Sequence, residues 1–151
     1  MMCKLTCVTM NLNRRGVDKL PHIHELMTEL QCSIMSLQEV DINSFSCPGF
    51  IQLGKKLGLS LALGDLSPQA QIARVAIVSN LPFRHVRFSS ISQPDRYCAG
   101  LVEFRIGQSI QKLLVCAIYG NAAYQALAKE LVQELVTCAS QFSCQWVIRS
   151  W

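Results

Sequence analysis

The pattern of apolar and polar positions changes period within the first part of the chain. Residues 4–11 alternate as a β-strand does, and residues 33–40 form a second, apolar-rich strand candidate. Between them, residues 17–31 carry apolar side chains three or four positions apart, at Leu20, Ile23, Leu26, Met27 and Leu30. That spacing places one apolar stripe on a helix. A strand, a helix and a second strand in this order predict a βαβ unit whose two strands are parallel.

The next part of the chain is predicted to hold a looser region followed by several strands. Residues 41–71 contain breaks at Pro48-Gly49 and Pro68, with one strand candidate at residues 60–65. After them come four short apolar segments with brief connections, at residues 74–80, 84–90, 99–107 and 111–119. Closely spaced segments of this kind predict an antiparallel run of strands.

Two further elements complete a mixed pattern. Residues 122–142 have the periodicity of an amphipathic helix, and residues 144–151 have the composition of another strand. This mixture predicts an α/β (α+β) fold in which helices flank a layered sheet. The length suits one domain, residues 1–151. Because the last residues have the composition of a core strand, we expect the chain to be a fragment of a longer fold.

Composition adds two constraints to this picture. Half of the residues are hydrophobic and 16% are charged, below the usual charged fraction of about 25%. We therefore expect a well-covered sheet, or a surface that packs against something else. The formal net charge is +4, which is compatible with partners that carry phosphate groups.

The cysteines indicate a reducing environment. There are eight, and most lie in apolar segments such as residues 5–10 and 113–119, where cysteine behaves as a small hydrophobic residue. None are spaced as Cys-x-x-Cys, so the usual spacing of a zinc site is absent from the sequence. Reduced, buried thiols are predicted, and with them an intracellular location in the cytoplasm or nucleus.

Neither a secretory signal nor a membrane span is predicted. The N-terminal residues lack a charged start followed by a long apolar stretch. The longest uncharged run, residues 113–128, is shorter than the roughly 18 apolar residues of a spanning helix. Gly120-Asn121 also interrupts it.

Four segments resemble, in order, one known superfamily. They are TMNLN at 9–13, SLQEVD at 36–41, RVAIVSNLPF at 74–83 and the two strand-like segments within 100–123. This series resembles the N-terminal part of the endonuclease/exonuclease/phosphatase superfamily, which includes apurinic-site endonucleases, DNases and retroelement endonucleases. The resemblance implies roughly the first half of a four-layer DNase-like sandwich. It also implies one of the two sheets only, with an apolar sheet face exposed and available for self-association.

The resemblance implies a magnesium-dependent phosphodiesterase or endonuclease that acts on nucleic acid. Glu39, at the end of a strand, matches the metal ligand of the family. Asn11 matches the residue that holds the metal shell or the surroundings of the nucleophile. The chemistry is suitable because Mg²⁺ is a hard cation that binds one or two carboxylates and takes further oxygens from water and substrate phosphate. Mn²⁺ is the alternative ion.

The resemblance also implies catalytic roles for Tyr119 and Asn121. Tyr119 matches a loop tyrosine that lies near the scissile phosphate in the family. Where family members have Tyr-small-Pro, this chain has Tyr119-Gly120-Asn121. Asn121 either replaces the proline or fills the asparagine position that follows it in some members, and a simple turn residue is the other alternative. Arg96 has the chemistry to bind phosphate, but an ordinary surface position is the expectation.

The family pattern breaks at its catalytic base. The family has a Gly-Asp-x-Asn motif where this chain has Ser150-Trp151, and no late Ser-Asp-His is present. His22, His24 and His85 lie too early to substitute for the family histidine. Because loss of one positioned acid–base group costs about 10²–10⁴-fold in rate, we expect a truncated domain with little turnover. The alternative hypothesis is a non-catalytic interaction module or a degenerate retroelement-derived fragment.

Overall fold

A computed structural model describes residues 5–14, 16–120 and 124–150 of the chain. Within these ranges the chain forms strands, three helices and one 3₁₀ turn. In chain order the elements are β1 (Cys7–Asn11), α1 (Gly16–Glu29), β2 (Ile34–Asn43), α2 (Cys47–Lys56), β3 (Ser60–Leu63), β4 (Ile72–Ser79), β5 (Phe83–Val86), the 3₁₀ turn (Pro94–Arg96), β6 (Tyr97–Ile106), β7 (Ser109–Ile118), α3 (Tyr124–Phe142) and β8 (Gln145–Ser150).

The strands form two sheets of four strands each. The first sheet has the order β1-β2-β4-β3 and the second has the order β5-β6-β7-β8. Strand β1 is parallel to β2, which confirms the predicted βαβ unit. In the second sheet β5, β6 and β7 are antiparallel, and β8 is parallel to β7. The predicted antiparallel run is therefore confirmed from β5 to β7, but its first member, β4, belongs to the other sheet.

Three apolar clusters hold the sheets and helices in four layers. The inner faces of the two sheets pack together through residues such as Ile34, Ile77 and Val115. Helices α1 and α2 cover the outer face of the first sheet, and α3 covers the outer face of the second. The layered α/β fold class is confirmed. The expectation of a single sheet with a bare apolar face is wrong, because the two inner faces cover each other. Self-association stays a prediction.

Helix α2 lies where the sequence predicts only a loop with breaks, and that expectation is wrong. Pro48 occupies the first turn, where its missing N–H leaves no intrahelical hydrogen bond unmade. Phe50, Leu53 and Leu57 then follow a helical spacing, and Phe50 is fully buried against the first sheet. Here the Pro-Gly pair lies in the first turn of a helix and does not mark an irregular loop.

The cysteines and helices bear on the expected surroundings of the chain. Among the cysteines in the described ranges, Cys32, Cys98, Cys116 and Cys138 are buried thiols outside any disulfide. Their packing in apolar clusters is as predicted, whereas Cys3 lies outside the described residues. None of the helices in the described part of the chain combines the length and apolar character that crossing a lipid bilayer requires. The intracellular compartment stays a prediction.

Candidate functional site

Parallel pairing of β1 and β2 brings Asn11 and Glu39 to one rim of the first sheet. Asn11, the last residue of β1, is the strand partner of Gln38, the residue before Glu39. Beyond this pair, the N–H of Leu12 donates to the carbonyl oxygen of Gln38 at 2.9 Å. The N–H of Arg14 donates to the carbonyl oxygen of Glu39 at 2.8 Å. The two motifs that carry the family resemblance are thus joined by backbone hydrogen bonds.

A bulge in β2 determines the backbone conformation at Glu39. The register between β2 and β4 shifts between Gln38 and Ile42. Within this stretch Glu39 has φ of 54° and Asp41 has φ of 50°, both in the left-handed region. That region costs a non-glycine residue about 1–2 kcal/mol. Bulges are frequent next to active sites, where they redirect a side chain.

The bulge also changes which face of the sheet Glu39 occupies. In a regular strand every second residue returns to the same face. Leu37 and Val40 both pack into the core beneath α1 and α2, although three positions separate them. An unbroken alternation from Leu37 would have put Glu39 in that core. The bulge removes Glu39 from the helix-covered face and leaves its side chain half-buried at the rim.

The side chains at this rim differ in how fully they are engaged. The Oδ1 atom of Asn11 accepts a 2.8 Å hydrogen bond from the N–H of Asn13, which holds the amide in a tight turn. The Nε atom of Arg14 lies 3.5 Å from Oδ2 of Asp41. Among the described residues, no hydrogen bond or ion pair engages the carboxylate of Glu39. Within the part of the chain that the structure describes, that carboxylate is therefore available to a ligand.

Tyr119 occupies the same end of the sandwich on the second sheet and contacts two arginines. It immediately follows β7, and its N–H donates to the carbonyl oxygen of Arg96 at 2.9 Å. The guanidinium carbon of Arg96 lies 5.2 Å from the centroid of the Tyr119 ring. That of Arg74, from β4 of the first sheet, lies 5.5 Å from the same centroid. One aromatic ring therefore holds two cations by cation–π attraction, one from the first sheet and one from the 3₁₀ turn before β6.

Three buried polar atoms at this end of the molecule have no partner. Within the described ranges, the buried side-chain atoms without a hydrogen bond are Oε1 of Gln38, Nε of Arg74 and Nη1 of Arg96. Buried polar atoms in folded proteins are nearly always paired, and an unpaired group commonly marks a missing water, ion or ligand. Arg96 is half-buried and was expected at the surface, so that expectation is wrong.

Arg74 is the residue that sequence reasoning missed. It is the single charged residue within β4, IARVAIVS, whose other positions are apolar or small. A lone arginine inside such a strand was the available signal, because a guanidinium is rarely buried without a purpose. Its neighbour across the sandwich, Tyr119, is far away in sequence, so no local pattern connects them.

The other sequence candidates are Asn121 and the histidines. Asn121 lies outside the described residues. His22 is exposed on α1 with its Nδ1 atom 3.9 Å from Glu25, and His85 lies on β5. In residues 5–14, 16–120 and 124–150 no group of three or more His, Cys, Asp or Glu side chains is placed to hold a metal ion.

Comparison with known proteins gives a likeness of fold. No protein-family model matches the sequence, and no curated protein matches it. The human Nocturnin catalytic domain with a bound sulfate anion has a TM-score of 0.62 and 16% identity, over 95% of this chain and 62% of its own. An AP endonuclease from Archaeoglobus fulgidus has a TM-score of 0.60 and 17% identity, and the match covers 96% of this chain and 56% of the endonuclease. TDP2 from D. rerio, complexed with a single-strand DNA product, has a TM-score of 0.57 and 12% identity, and the match covers 97% of this chain and 59% of TDP2.

The overlap involves almost all of this chain and part of each solved structure. The chain spans between 56% and 62% of the length of these three proteins. At identities of 12% to 17%, the similarity is one of architecture. The matched architecture is the one that the TMNLN and SLQEVD motifs predict. The chain therefore has a DNase-like α/β sandwich fold.

Proposed function

We propose that this chain forms the metal-binding and phosphate-binding part of a magnesium-dependent phosphodiesterase domain that acts on nucleic acid. The observation that carries the proposal is the pairing of β1 with β2, which brings Asn11 and Glu39 to one rim. Gln38 connects this pair to the arginines, since its strand partners are Asn11 on one side and Val75 on the other. Oxygen ligands for a cation and guanidinium groups for an anion thus share one end of the sandwich.

The donor atoms at the rim fit a hard divalent ion. Glu39 offers a carboxylate that no described residue engages, and the Asn11 amide oxygen keeps a lone pair besides the one that accepts from Asn13. Magnesium sites commonly combine one or two carboxylates with waters and substrate phosphate oxygens. Such a site does not require three acidic or histidine ligands. A bound Mg²⁺ supplies Lewis acidity toward a phosphoryl oxygen. Mn²⁺, which accepts the same oxygen ligands, is the alternative ion.

In this proposal the chain's own residues bind and orient the phosphate. The guanidinium of Arg96 presents a planar fork of N–H donors, a geometry that matches phosphate oxygens. The ring of Tyr119 contacts that guanidinium, and the N–H of Tyr119 fixes the backbone of Arg96 through the hydrogen bond to its carbonyl oxygen. Asn121, two residues after Tyr119, is the remaining candidate for contact with the phosphate.

Two observations support nucleic acid as the substrate class. The formal net charge of +4 and the pI near 8.7 favour association with a polyanion. A structural neighbour, TDP2 from D. rerio, is complexed with a single-strand DNA product. The proposal takes nucleic acid as the phosphate-bearing partner, with DNA as the first to test.

For residues 1–151 we propose metal and phosphate binding with little turnover. The sequence contains no Gly-Asp-x-Asn motif to supply the family's base. His22, one candidate to replace it, is exposed on α1, and its Nδ1 atom lies 3.9 Å from Glu25. The alternative is a non-catalytic interaction module or a degenerate retroelement-derived fragment. That alternative requires no affinity for Mg²⁺, so metal binding separates the two.

The experiment compares metal binding by three proteins. Isothermal titration calorimetry with Mg²⁺ and Mn²⁺ is performed on the unaltered chain, on Glu39→Gln and on Glu103→Gln. Glu103 is an exposed acid in β6 and serves as the matched control. We expect affinity to fall at least about tenfold in Glu39→Gln, since a charged ligand is lost, and to be unchanged in Glu103→Gln. Equal affinities in all three proteins would overturn the proposal.

A nicking assay on supercoiled plasmid with Mg²⁺ accompanies the titration. We expect no nicking by the unaltered chain above the level of a buffer control. Nicking that disappears in Glu39→Gln would support the metal role of Glu39 and overturn the expectation of little turnover. Nicking that persists in Glu39→Gln would come from a contaminant or from another site, and would count against the rim described here.

A further inference from the structure

We infer that Arg74 and Arg96, held on the ring of Tyr119, form a site for a doubly charged terminal phosphate, such as that at the end of a nucleic acid strand. This inference rests on the proposed function and specifies which phosphate of a nucleic acid strand the two arginines bind. It concerns the part of the rim that sequence reasoning missed. The choice is between a phosphate monoester, at a strand end, and an internal phosphodiester.

The geometry gathers two cations that no described acidic side chain pairs with. Both guanidinium groups lie over one ring, at 5.5 Å and 5.2 Å from its centroid. In the described part of the chain neither guanidinium makes an ion pair or a hydrogen bond. Each also has one nitrogen, Nε of Arg74 and Nη1 of Arg96, that is buried without a partner. Burying a charged group without a partner costs free energy of folding. An anion bound here would supply a partner to both buried nitrogens and so remove this cost at Arg74 and at Arg96.

Other arginines show that this arrangement is particular to the rim. Arg87 pairs with Asp65, and Arg14 pairs with Asp41. Arg84 also lies over an aromatic ring, 5.3 Å from the centroid of Phe142, but it is exposed and has no buried unpartnered atom. Contact with a ring alone therefore does not distinguish Arg74 and Arg96. What distinguishes Arg74 and Arg96 is that they are two cations side by side, each with a buried donor nitrogen that has no described partner.

The charge count favours a terminal phosphate over an internal one. A phosphodiester carries one negative charge, whereas a phosphate monoester carries about 1.5 to 2 at neutral pH and has three strong acceptor oxygens. Each guanidinium also presents a planar fork of N–H donors, and a monoester has three acceptor oxygens where a diester has two. A monoester satisfies both forks and both charges. The site is therefore matched to a strand end.

The experiment measures binding of short single-stranded DNA labelled with a fluorophore at the end opposite the phosphate. Fluorescence anisotropy in EDTA compares oligonucleotides with a 5′-phosphate, with a 3′-phosphate and with neither. We expect one of the two phosphorylated strands to bind about tenfold or more tightly than the unphosphorylated strand, the gain of a charge-assisted contact. Inorganic phosphate should compete with that strand. If inorganic phosphate does not compete, the phosphate site proposed at Arg74 and Arg96 is wrong.

The variants are Arg74→Gln, Arg96→Gln and the matched control Arg84→Gln. The first two should abolish the preference for the phosphorylated strand, while the control keeps it. Circular dichroism and melting curves identify any variant that fails to fold, and Arg74→Lys then replaces Arg74→Gln. That variant keeps the charge but loses the fork, and we expect it to retain only part of the preference. Equal binding of all strands by the unaltered chain, or equal losses in all three variants, would overturn the inference.

Failure here is distinguishable from failure of the proposed function. Because EDTA removes divalent ions, the strand preference is independent of Glu39. A chain that binds Mg²⁺ through Glu39 but ignores terminal phosphates refutes only the phosphate site. A chain that prefers phosphorylated strands but does not bind Mg²⁺ refutes only the metal site.

Discussion

The main-chain N–H of Arg14 donates a 2.8 Å hydrogen bond to the carbonyl oxygen of Glu39. Arg14 lies three residues after Asn11, in the loop that follows β1, and Glu39 lies within the bulge of β2. The side chain of Arg14 also approaches Asp41, on the far side of the bulge. One residue thus ties the loop after β1 to both ends of the strained stretch of β2. The positions of Asn11 and Glu39 are therefore mechanically linked, as a shared ligand site requires.

The first prediction concerns the strain at Glu39. Glycine adopts a positive φ without the steric cost that a Cβ atom imposes, and φ at Glu39 is 54°. We expect Glu39→Gly to be more stable than Glu39→Ala by about 1 kcal/mol, because both remove the carboxylate and only one removes Cβ. Urea unfolding at equilibrium measures the difference.

The control is the same pair of substitutions at Glu103 in β6, which is not among the residues with positive φ. There glycine should be the less stable of the two, because it weakens a regular strand. If glycine is less stable than alanine at both positions, the left-handed conformation of Glu39 is wrong.

The second prediction concerns close packing next to the site. A Cβ atom on Gly64 would lie 2.8 Å from Cγ2 of Val75 and 2.9 Å from the carbonyl oxygen of Tyr97. The second of these is backbone and cannot rotate away. We expect Gly64→Ala to lower the free energy of unfolding by about 1–3 kcal/mol, the usual cost of overpacking. Gly49→Ala, in α2, meets nothing within 4 Å and should not lower it. Equal losses in the two variants would contradict this packing.

The third prediction is a dependence of stability on pH from a buried thiol. Burial raises the pKa of Cys98 from its ordinary value of 9.0 to about 12, and burial also raises the pKa of Cys116. A folded-state pKa above the unfolded value gives stability that is complete below pH 9 and is lost as pH rises toward 12. For Cys98 alone the loss by about pH 10 is roughly 1.4 kcal/mol.

Unfolding free energies at about pH 8 and pH 10 test this effect. Cys98→Ala should be less stable than the unaltered chain at both values, because it leaves a small cavity. Between pH 8 and pH 10, Cys98→Ala should also lose less free energy of unfolding than the unaltered chain does. A variant with the same slope as the unaltered chain would show that Cys98 does not contribute.

The fourth prediction concerns the segment that leads to Arg96. The hydroxyl oxygen of Tyr97 accepts a 2.8 Å hydrogen bond from the N–H of Phe88, and the two rings stack with centroids 5.7 Å apart. We expect Tyr97→Phe to cost about 1–2 kcal/mol, since it leaves the Phe88 N–H without this partner. Thermal unfolding measures the change. Phe88→Leu, which keeps its N–H, should lose ring stacking only, and a smaller effect of Tyr97→Phe than of Phe88→Leu would contradict the role of the hydroxyl group.

Much of the fold was predictable because its apolar patterns are local. The stripe that includes Leu20 and Ile23 gives α1, and the short apolar run before Gln38 gives β2, so the parallel pair follows from chain order. Asn11 ends β1 as predicted, whereas the predicted strand end at Glu39 is wrong, because β2 continues through a bulge to Asn43. Helix α2 was also within reach, since the spacing from Phe50 to Leu57 is helical.

What could not be predicted depends on contacts distant in sequence. Strand β4 joins β2 and β3 rather than β5, and its residues do not encode that choice. The bulge at Glu39 could not be predicted from the sequence of β2, because that strand contains no glycine to indicate a positive φ. The meeting of Arg74 with Tyr119 requires both sheets to be assembled. These are the features that form the candidate site, as expected where local preference yields to function.

The most direct test of the central claim is to locate a bound ion. Crystals of the chain soaked in Mn²⁺ are measured near the manganese absorption edge, and an anomalous difference map is computed. We predict a peak at the rim, within coordination distance of the Glu39 carboxylate and beside the Asn11 amide oxygen, that disappears in Glu39→Gln crystals. A peak elsewhere, or a peak at this rim that persists in Glu39→Gln, would contradict the account.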